Sequence, residues 1–161
     1  MAAVYLLLGS NESDRPGNLG KARNLIEKRA GKITLRSSLY ETEAWGLKEQ
    51  NPFLNQALAI DSNIPSLELL SILKDIEKEV GRVETIKWGP RVIDIDILFY
   101  GDKVVSEEHL KIPHPYLHER RFTLEPLNEI APDFIHPSLG QTVNQLLAVC
   151  ADNSKVNQLP A

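Results

Sequence analysis

The part of this sequence best suited to chemistry is an alternating run of acidic and apolar residues, Ile93-Asp94-Ile95-Asp96-Ile97-Leu98-Phe99. Side chains alternate between the two faces of a β-strand, so Asp94 and Asp96 should share one face while the isoleucines and Phe99 enter the core from the other. The two aspartate Cα atoms would be about 6.6 Å apart. Such a pair can bind Mg²⁺ ions, which prefer oxygen ligands and keep water and phosphate oxygens in their remaining positions. A strand with one solvated face explains the same alternation without a metal.

Basic residues beside this pair favour the metal interpretation. The segment from Gly81 to Arg91 contains Arg82 and Arg91 together with a lysine and a tryptophan. A guanidinium is a planar fork that matches phosphate oxygens, so the segment indicates a polyphosphate site. At about 6 Å and an effective dielectric constant of about 20, each bare carboxylate would repel a phosphate charge by roughly 3 kcal/mol, so bound cations must reverse the sign of the site. Surface ion pairs between arginine and aspartate are the alternative, although they leave the tryptophan and the glycines unexplained.

Other side chains suit a flat, polar ring. Phe53 and Asn55 alternate with Leu54 and therefore share a face of a predicted strand, and Trp45 lies in the preceding loop. An aromatic ring and an amide placed in this way can stack on a heterocycle and hydrogen-bond to it. From these residues alone, ordinary packing at a sheet edge is the preferred interpretation.

The segment from Ile112 to Phe122 carries two histidines four residues apart, His114 and His118. Zinc is disfavoured there, because Pro115 interrupts helical spacing and no glutamate lies between the histidines. A cation and an aromatic ring, Arg120 and Phe122, better suit closure over a charged planar substrate. The sequence lacks the GxxxxGK[ST] phosphate loop, so arginines and metal would have to hold any nucleotide.

Composition limits the class of protein. The 161 residues carry a formal net charge of −4 and are 42% hydrophobic, which predicts a single domain over residues 1–161 with a disordered tail from about residue 152. The acidic balance argues against a nucleic-acid partner. A lone cysteine excludes an internal disulfide, and no apolar run approaches the roughly 18 residues of a membrane span. We therefore expect a cytoplasmic protein without a membrane partner.

Hydrophobic periodicity predicts the elements that position these residues. A helix ending at a left-handed Gly31 and a helix capped by Ser66 and ended by Gly81 alternate with strands. The predicted strands are Val4–Leu8, Ile33–Thr42, Leu54–Ile60 and Val92–Tyr100. The order β-α-β-β-α-β predicts an α+β, ferredoxin-like core, with both helices on one face of an antiparallel sheet. Strands, loops and two short helices, near Leu124–Ile130 and Val143–Val149, should follow.

At the level of motifs the chain resembles the 6-hydroxymethyl-7,8-dihydropterin pyrophosphokinases of folate biosynthesis. The resemblance covers about residues 4–137. The matching motifs are Leu8-Gly9-Ser10-Asn11, Tyr40-Glu41-Thr42, Phe53-Leu54-Asn55, Gly81-Arg82, Trp88-Gly89-Pro90-Arg91, Asp94-Ile95-Asp96, Pro113-His114, Arg120, Phe122 and Pro126-Leu127. It implies the same ferredoxin-like fold and a reaction in which ATP, as co-substrate, gives its β,γ-diphosphoryl group to the pterin hydroxymethyl and releases AMP.

The resemblance also implies roles for individual residues. Two Mg²⁺ ions would be bound by Asp94 and Asp96. The catalytic residues would be Arg82, Arg91, Asp94 and Asp96. The pterin would contact Thr42, Ala44, Trp45, Phe53, Asn55, Asp94 and Phe122. The ATP would contact Lys74, Glu77, Arg82, Lys87, Trp88, Arg91, Ile97, His114 and Arg120.

Some positions depart from the family pattern. Glu84 stands where many members have a second loop arginine, and Ala44 where proline is frequent, so we expect Lys87 to supply part of the missing positive charge. The partners implied are small-molecule substrates, bound by a monomer. Two other readings stay open: another two-metal nucleotidyl transferase, which would release pyrophosphate, and a non-catalytic ferredoxin-like ligand-binding domain.

Overall fold

The computed structural model describes residues 2–43, 50–82 and 90–160. Within these ranges the chain forms strands, four α-helices and one 3₁₀ turn at Leu117–Glu119. The strands are β1 (Ala2–Ser10), β2 (Lys32–Arg36), β3 (Tyr40–Thr42), β4 (Phe53–Ser62), β5 (Asp94–Tyr100), β6 (Val105–Ser106), β7 (Lys111–Ile112) and β8 (Val156–Gln158). The helices are α1 (Arg15–Arg29), α2 (Ser66–Val80), α3 (Arg121–Ile130) and α4 (Val143–Ala148).

An antiparallel sheet organises the molecule. Its strand order is β5-β1-β4-β3-β8, and β2 pairs with β4 beside β3, while β6 and β7 form a separate hairpin. The central pair, β1 and β4, is in register from Ala2 opposite Ser62 to Ser10 opposite Leu54. The elements up to β5 follow the predicted β-α-β-β-α-β order except that two strands, β2 and β3, take the place of the second predicted strand, and the ferredoxin-like α+β fold is confirmed.

A first core lies between the sheet and the helices α1 and α2. Each helix supplies an apolar stripe, and the sheet supplies alternate residues of β1, β4 and β5. The fully buried members include Leu6, Leu8, Leu19, Ile26, Leu54, Leu58, Ile60, Leu69, Leu73, Ile76 and Ile93. Both predicted helices therefore cover the same face of the sheet.

A second core lies on the opposite face, under α3 and α4. It contains Leu7, Leu98, Phe99, Leu117, Leu124, Leu127, Val143 and Leu146. Phe99 was predicted to share a face with Ile95 and Ile97, and this is wrong. A register irregularity opposite Tyr5 and Leu6 inserts an extra residue into β5, so Phe99 points to the second core while Ile95 and Ile97 line the first.

The predicted strand Ile33–Thr42 is two strands, β2 and β3, separated by residues 37–39. A register shift between Ile33 and Leu35 breaks the alternation, so Ile33 packs against the first core while Leu35 is 48% exposed. The apolar pattern could not reveal this bulge, because both residues suit a half-buried strand.

Two predicted helix ends also differ. Gly31 does not adopt the left-handed conformation. Glycine is needed there because a Cβ would come within 2.2 Å of the carbonyl oxygen of Asp61. Ser66 is the first helical residue of α2 instead of its cap, and Pro65 holds the cap position without a side-chain hydrogen bond. Gly81 does end α2 with a positive φ of 130°.

The prediction of a disordered tail from about residue 152 is wrong for Val156–Gln158. These residues form β8, which pairs with β3 in the register Thr42–Val156 to Tyr40–Gln158. Backbone pairing with a neighbouring strand needs no hydrophobic alternation, which is why the polar tail gave no signal. None of the helices in the described ranges is long and apolar enough to span a bilayer.

Candidate active site

Asp94 and Asp96 lie together on β5, at one edge of the sheet. They alternate with Ile95 and Ile97 of the first core, so both carboxylates face the side of the sheet that carries the second core. The edge forms a cleft of about 380 Å³. Its lining residues are Leu70, Lys74, Glu77, Arg82, Asp94, Ile95, Asp96, Ile97, Glu108, His109, Leu110, Lys111, His114 and Pro115.

Arg82 joins α2 to the aspartate pair. It follows Gly81, where the helix ends, and its Nη1 donates to Asp94 Oδ1 at 2.7 Å and to Glu77 Oε1 at 2.9 Å. The other oxygen of Glu77 accepts from the backbone N–H of Ile95 at 2.8 Å. Glu77 therefore fixes both the outer edge of β5 and the arginine that faces Asp94.

These carboxylates are held in a setting that disfavours their charge. Burial, and then the negative charge of Asp96, raise the pKa of Asp94 to about 6, against the lowering effect of Arg82 and Arg91. Burial likewise raises the pKa of Asp96, which Arg120 and Arg82 partly offset. Burial raises the pKa of Glu77 to about 7. Added positive charge at this cluster would relieve the mutual repulsion.

The donor set fits a hard cation bound jointly with a substrate. Among the described residues, no cluster of three or more histidine, cysteine, aspartate or glutamate side chains is placed to hold a metal ion. Asp94 and Asp96 offer only carboxylate oxygens, and Mg²⁺ bound by two carboxylates takes its other ligands from water and phosphate. The side chains thus fit Mg²⁺ that arrives with a polyphosphate.

Arg91 is positioned by Asn11, for which no separate role was predicted. The backbone N–H of Arg91 donates to Asn11 Oδ1 at 2.7 Å, and the N–H of Asn11 donates to the carbonyl of Arg91 at 3.0 Å. The amide of Asn11 also donates to the carbonyl of Asn51 at 3.1 Å. Asn11 is buried, and its hydrogen bonds connect the loops that precede β4 and β5. Its place directly after the Leu8-Gly9-Ser10 strand end was the available signal.

Thr42, Phe53 and Asn55 meet next to the aspartates. Asn55 is opposite Gly9 in β1, and Gly9 is opposite Asp94 in β5, so the three form one row across the sheet. The Thr42 hydroxyl donates to Asn55 Oδ1 at 3.4 Å, and Asn55 Nδ2 donates to the carbonyl of Leu8 at 3.3 Å. Phe53 is half-buried beside them. Ala44 and Trp45 lie outside the described residues.

Arg120 and Phe122 lie at the start of α3. The guanidinium of Arg120 is 5.6 Å from the ring centre of Phe122 and 5.1 Å from that of Tyr116. Sequence reasoning missed Tyr116, although an aromatic ring between His114 and Arg120 was a usable signal. Arg120 lowers the pKa of Asp96, so its charge reaches the aspartate pair.

Lys74, Ile97 and His114 line the cleft with the aspartates. Burial, and then the charge of Arg120, lower the pKa of His114 to about 4, so His114 is neutral at pH 7. The hairpin side of the cleft, residues 108–111, and Leu70 were not predicted, because separate loops meet there without a local pattern. Lys87 and Trp88, the remaining predicted ATP contacts, lie outside the described residues.

Comparison with known proteins identifies the family to which the chain is similar. The family profile of 7,8-dihydro-6-hydroxymethylpterin-pyrophosphokinase (HPPK) matches residues 5–132. A 2-amino-4-hydroxy-6-hydroxymethyldihydropteridine pyrophosphokinase of Aquifex aeolicus is 49% identical over 137 residues, which is 85% of each protein. The protein of the same name from Methylorubrum extorquens is 44% identical over 149 residues, covering 92% of this chain and 93% of that protein.

Solved structures agree on the fold. Wild-type HPPK-DHPS of Plasmodium falciparum superposes with a TM-score of 0.73 at 22% identity, over 92% of this chain. The present chain spans 43% of that longer one, so this likeness concerns the fold alone.

Paired carboxylates and arginines in one cleft suit the transfer of phosphoryl-type groups, which depends on positioning and charge stabilisation. The profile match and the identities narrow the class further. The chain belongs to the 7,8-dihydro-6-hydroxymethylpterin-pyrophosphokinase family and is a pyrophosphokinase.

Proposed function

We propose that this protein transfers the β,γ-diphosphoryl group of ATP to the hydroxymethyl group of 6-hydroxymethyl-7,8-dihydropterin and releases AMP, in the biosynthesis of tetrahydrofolate. One observation carries the proposal: the row Asp94, Gly9 and Asn55 places the Asn55 amide, with Thr42 and Phe53, two strands away from the aspartate of the charged cleft. A heterocycle held at Asn55 over Gly9 would therefore lie between that amide and Asp94.

The chain's residues have separable tasks in this proposal. Asn55 and Thr42 hydrogen-bond the polar edge of the pterin, while Phe53 and Phe122 stack on its faces. Arg82, Arg91 and Arg120 bind phosphate oxygens through their guanidinium forks. Lys74 and His114 line the nucleotide side of the cleft, and Ile97 offers apolar contact there.

Asp94 and Asp96 would hold two Mg²⁺ ions, which, when bound with ATP, neutralise the charge of the triphosphate. The hydroxyl oxygen of the substrate then forms a bond to the β-phosphorus of ATP and releases its proton to solvent, while the bond from that phosphorus to the α–β bridging oxygen breaks and AMP leaves. Glu77 keeps Arg82 directed at the reacting groups through the 2.9 Å hydrogen bond. Positioning and charge stabilisation account for most of the acceleration in this type of transfer, so a strong base is not required.

Product analysis tests the proposal directly. The protein is incubated with ATP, MgCl₂ and the pterin, and the nucleotide products are separated by chromatography. We expect AMP that depends on the pterin, and we expect Asp96→Ala to abolish it while the protein stays folded. Release of pyrophosphate would instead identify a nucleotidyl transferase, and absence of turnover at saturating substrates would refute the proposal.

A further inference from the structure

The segment that follows α4 touches both sides of the pterin pocket. Asp152 contacts Arg121, at the start of the helix that carries Phe122. Four residues later, β8 pairs with β3, the strand that carries Thr42. The family profile ends at residue 132, so this segment lies beyond the part of the chain that the profile matches.

Asp152 caps helix α3 from a distant point in the sequence. Arg120 occupies the cap position of α3 without a side-chain cap hydrogen bond. The backbone N–H of Arg121 donates instead to Asp152 Oδ2 at 3.0 Å, and Arg121 Nε donates to the Asp152 carbonyl at 2.8 Å. A carboxylate at this place satisfies an N–H that the helix leaves unpaired and interacts favourably with the helix dipole.

The cap is itself held in place. Asp152 Oδ1 accepts from the N–H of Ser154 at 2.9 Å and from its hydroxyl at 2.6 Å. Burial alone would raise the pKa of Asp152, but the hydrogen bonds from Ser154 and Arg121 outweigh it and hold that pKa below its ordinary value. The carboxylate is therefore ionised at neutral pH.

The strand β8 fixes the other side of the pocket. It pairs with β3 over three positions, from Thr42 opposite Val156 to Tyr40 opposite Gln158. The N–H of Leu159 also donates to the carbonyl of Leu39 at 2.8 Å. Pairing on this side makes β3 an internal strand, which restrains the backbone around Thr42.

We propose that residues 152–158 are a positioning strap for the pterin half of the site, in which Asp152 orients Phe122 through the start of α3 and β8 orients Thr42 through β3. The proposal rests on the proposed function for the identity of the ligand. Arg120, assigned above to phosphate binding, is the cap residue of the same helix, so loss of the Asp152 contact should weaken ATP binding as well as pterin binding, and the larger effect should fall on the pterin, which both ends of the strap reach.

Steady-state kinetics of Asp152 variants test the strap. For Asp152→Ala we expect the KM for the pterin to rise about fivefold, the equivalent of one lost helix cap, with a smaller rise in the KM for ATP through Arg120 and kcat within about twofold of wild type. Asp152→Asn keeps an acceptor oxygen and should return the pterin KM to within about twofold of wild type. Asp133→Ala, which removes an exposed carboxylate beyond the other end of α3, is the matched control and should change nothing.

Amide hydrogen exchange gives a readout that does not depend on activity. In Asp152→Ala, exchange should accelerate at residues 121–123 and 40–42 and stay unchanged in α1. If Asp152→Ala does not fold, Ser154→Ala, which removes the hydroxyl hydrogen bond to Asp152 Oδ1 and keeps the one from the backbone N–H, should show the same pattern with smaller changes. Unchanged exchange at both places, or an unchanged KM for the pterin in a folded Asp152→Ala, would overturn the strap. A wild-type protein that does not turn over the pterin would overturn only the proposed function, because the exchange pattern still judges the strap.

Discussion

Gly9 and Asn55 face each other across β1 and β4, and the amide of Asn55 occupies the space that a side chain on Gly9 would need. A Cβ at position 9 would come within 2.7 Å of Asn55 Nδ2 and 3.6 Å of Phe53 Cδ1. Gly9 also pairs with Asp94 in β5. The sheet surface between the Asn55 amide and the Asp94 carboxylate therefore carries no side chain at position 9. That bare strip of backbone is where a flat ring can lie between the two groups.

Substitution of Gly9 should therefore damage pterin binding more than folding. In Gly9→Ala the new methyl group displaces the Asn55 amide, and we expect the KM for the pterin to rise about tenfold, the loss of about one charge-free hydrogen bond. The KM for ATP should change less than twofold, within the scatter expected of a site that keeps its contacts. Steady-state kinetics with each substrate varied in turn measures both values.

Gly20→Ala is the matched control for this variant. Gly20 lies within α1, where a Cβ would meet only Arg23 Nη2, at an ordinary 3.6 Å. We expect unchanged kinetics and a gain in stability of about 0.5–1 kcal/mol, because alanine favours the helix. A pterin KM in Gly9→Ala equal to that of Gly20→Ala would contradict the role given to the bare strip.

Removing the charge of Asp96 should stabilise the protein while it destroys activity. The pKa of Asp96 is raised in the native state, so above its ordinary value of 3.8 the native protein holds this proton longer than the unfolded chain does. Stability from this group is therefore lost as pH rises, and the carboxylate destabilises the native protein at neutral pH. Asp96→Asn should raise the Tm at pH 7 by roughly 2–4 °C, as a gain of about 1 kcal/mol does in a chain of this size.

Calorimetry in EDTA and without nucleotide checks this prediction. The gain should disappear below about pH 3.8, where the aspartate is protonated in both states. Asp102→Asn, an exposed aspartate just after β5, serves as the control and should leave the Tm unchanged at either pH. A lower Tm for Asp96→Asn at pH 7 would mean that the pair is satisfied by the protein itself and has no need of a cation.

Glu77 should matter to both stability and rate. Glu77→Ala leaves the N–H of Ile95 without its acceptor and Arg82 without one of its two carboxylates, so we expect a loss of about 2 kcal/mol in the free energy of unfolding. The kcat should fall as well, because Arg82 is no longer held in place. Urea unfolding and initial rates measure the two effects.

A surface glutamate on the same helix separates this effect from the loss of a charge. Glu79 pairs with Arg29 at 2.6 Å, but its side chain is 51% exposed. Glu79→Ala should leave both the free energy of unfolding and the rate nearly unchanged, since exposed ion pairs contribute little. Equal losses in the two variants would refute the anchoring role of Glu77.

The extent of sequence-based prediction follows from how local each signal is. Alternation along β5 correctly placed Asp94 and Asp96 on one face of the strand and Ile95 and Ile97 on the other. This prediction succeeds because the side-chain period of a strand depends only on neighbouring residues. The same rule failed at Phe99. The bulge there arises from the pairing of β5 with β1, so the sequence of β5 by itself does not reveal it.

Contacts distant in sequence were beyond local patterns. Asp152 caps a helix that begins 31 positions earlier, and nothing in the polar tail indicates a partner. Asn11 and Arg91 meet across 80 positions. The motif resemblance identified most of the candidate residues, but only the structure shows that Glu77 anchors both Arg82 and β5.

Isotope transfer tests directly whether the β and γ phosphates of ATP move together to the pterin. The protein is given the pterin, MgCl₂ and ATP carrying ³²P at either the β or the γ position, and the labelled products are separated. We expect both labels to move to the pterin and the released AMP to carry neither. Transfer of the γ label alone, with ADP released, or retention of the β and γ labels in free pyrophosphate, would contradict it.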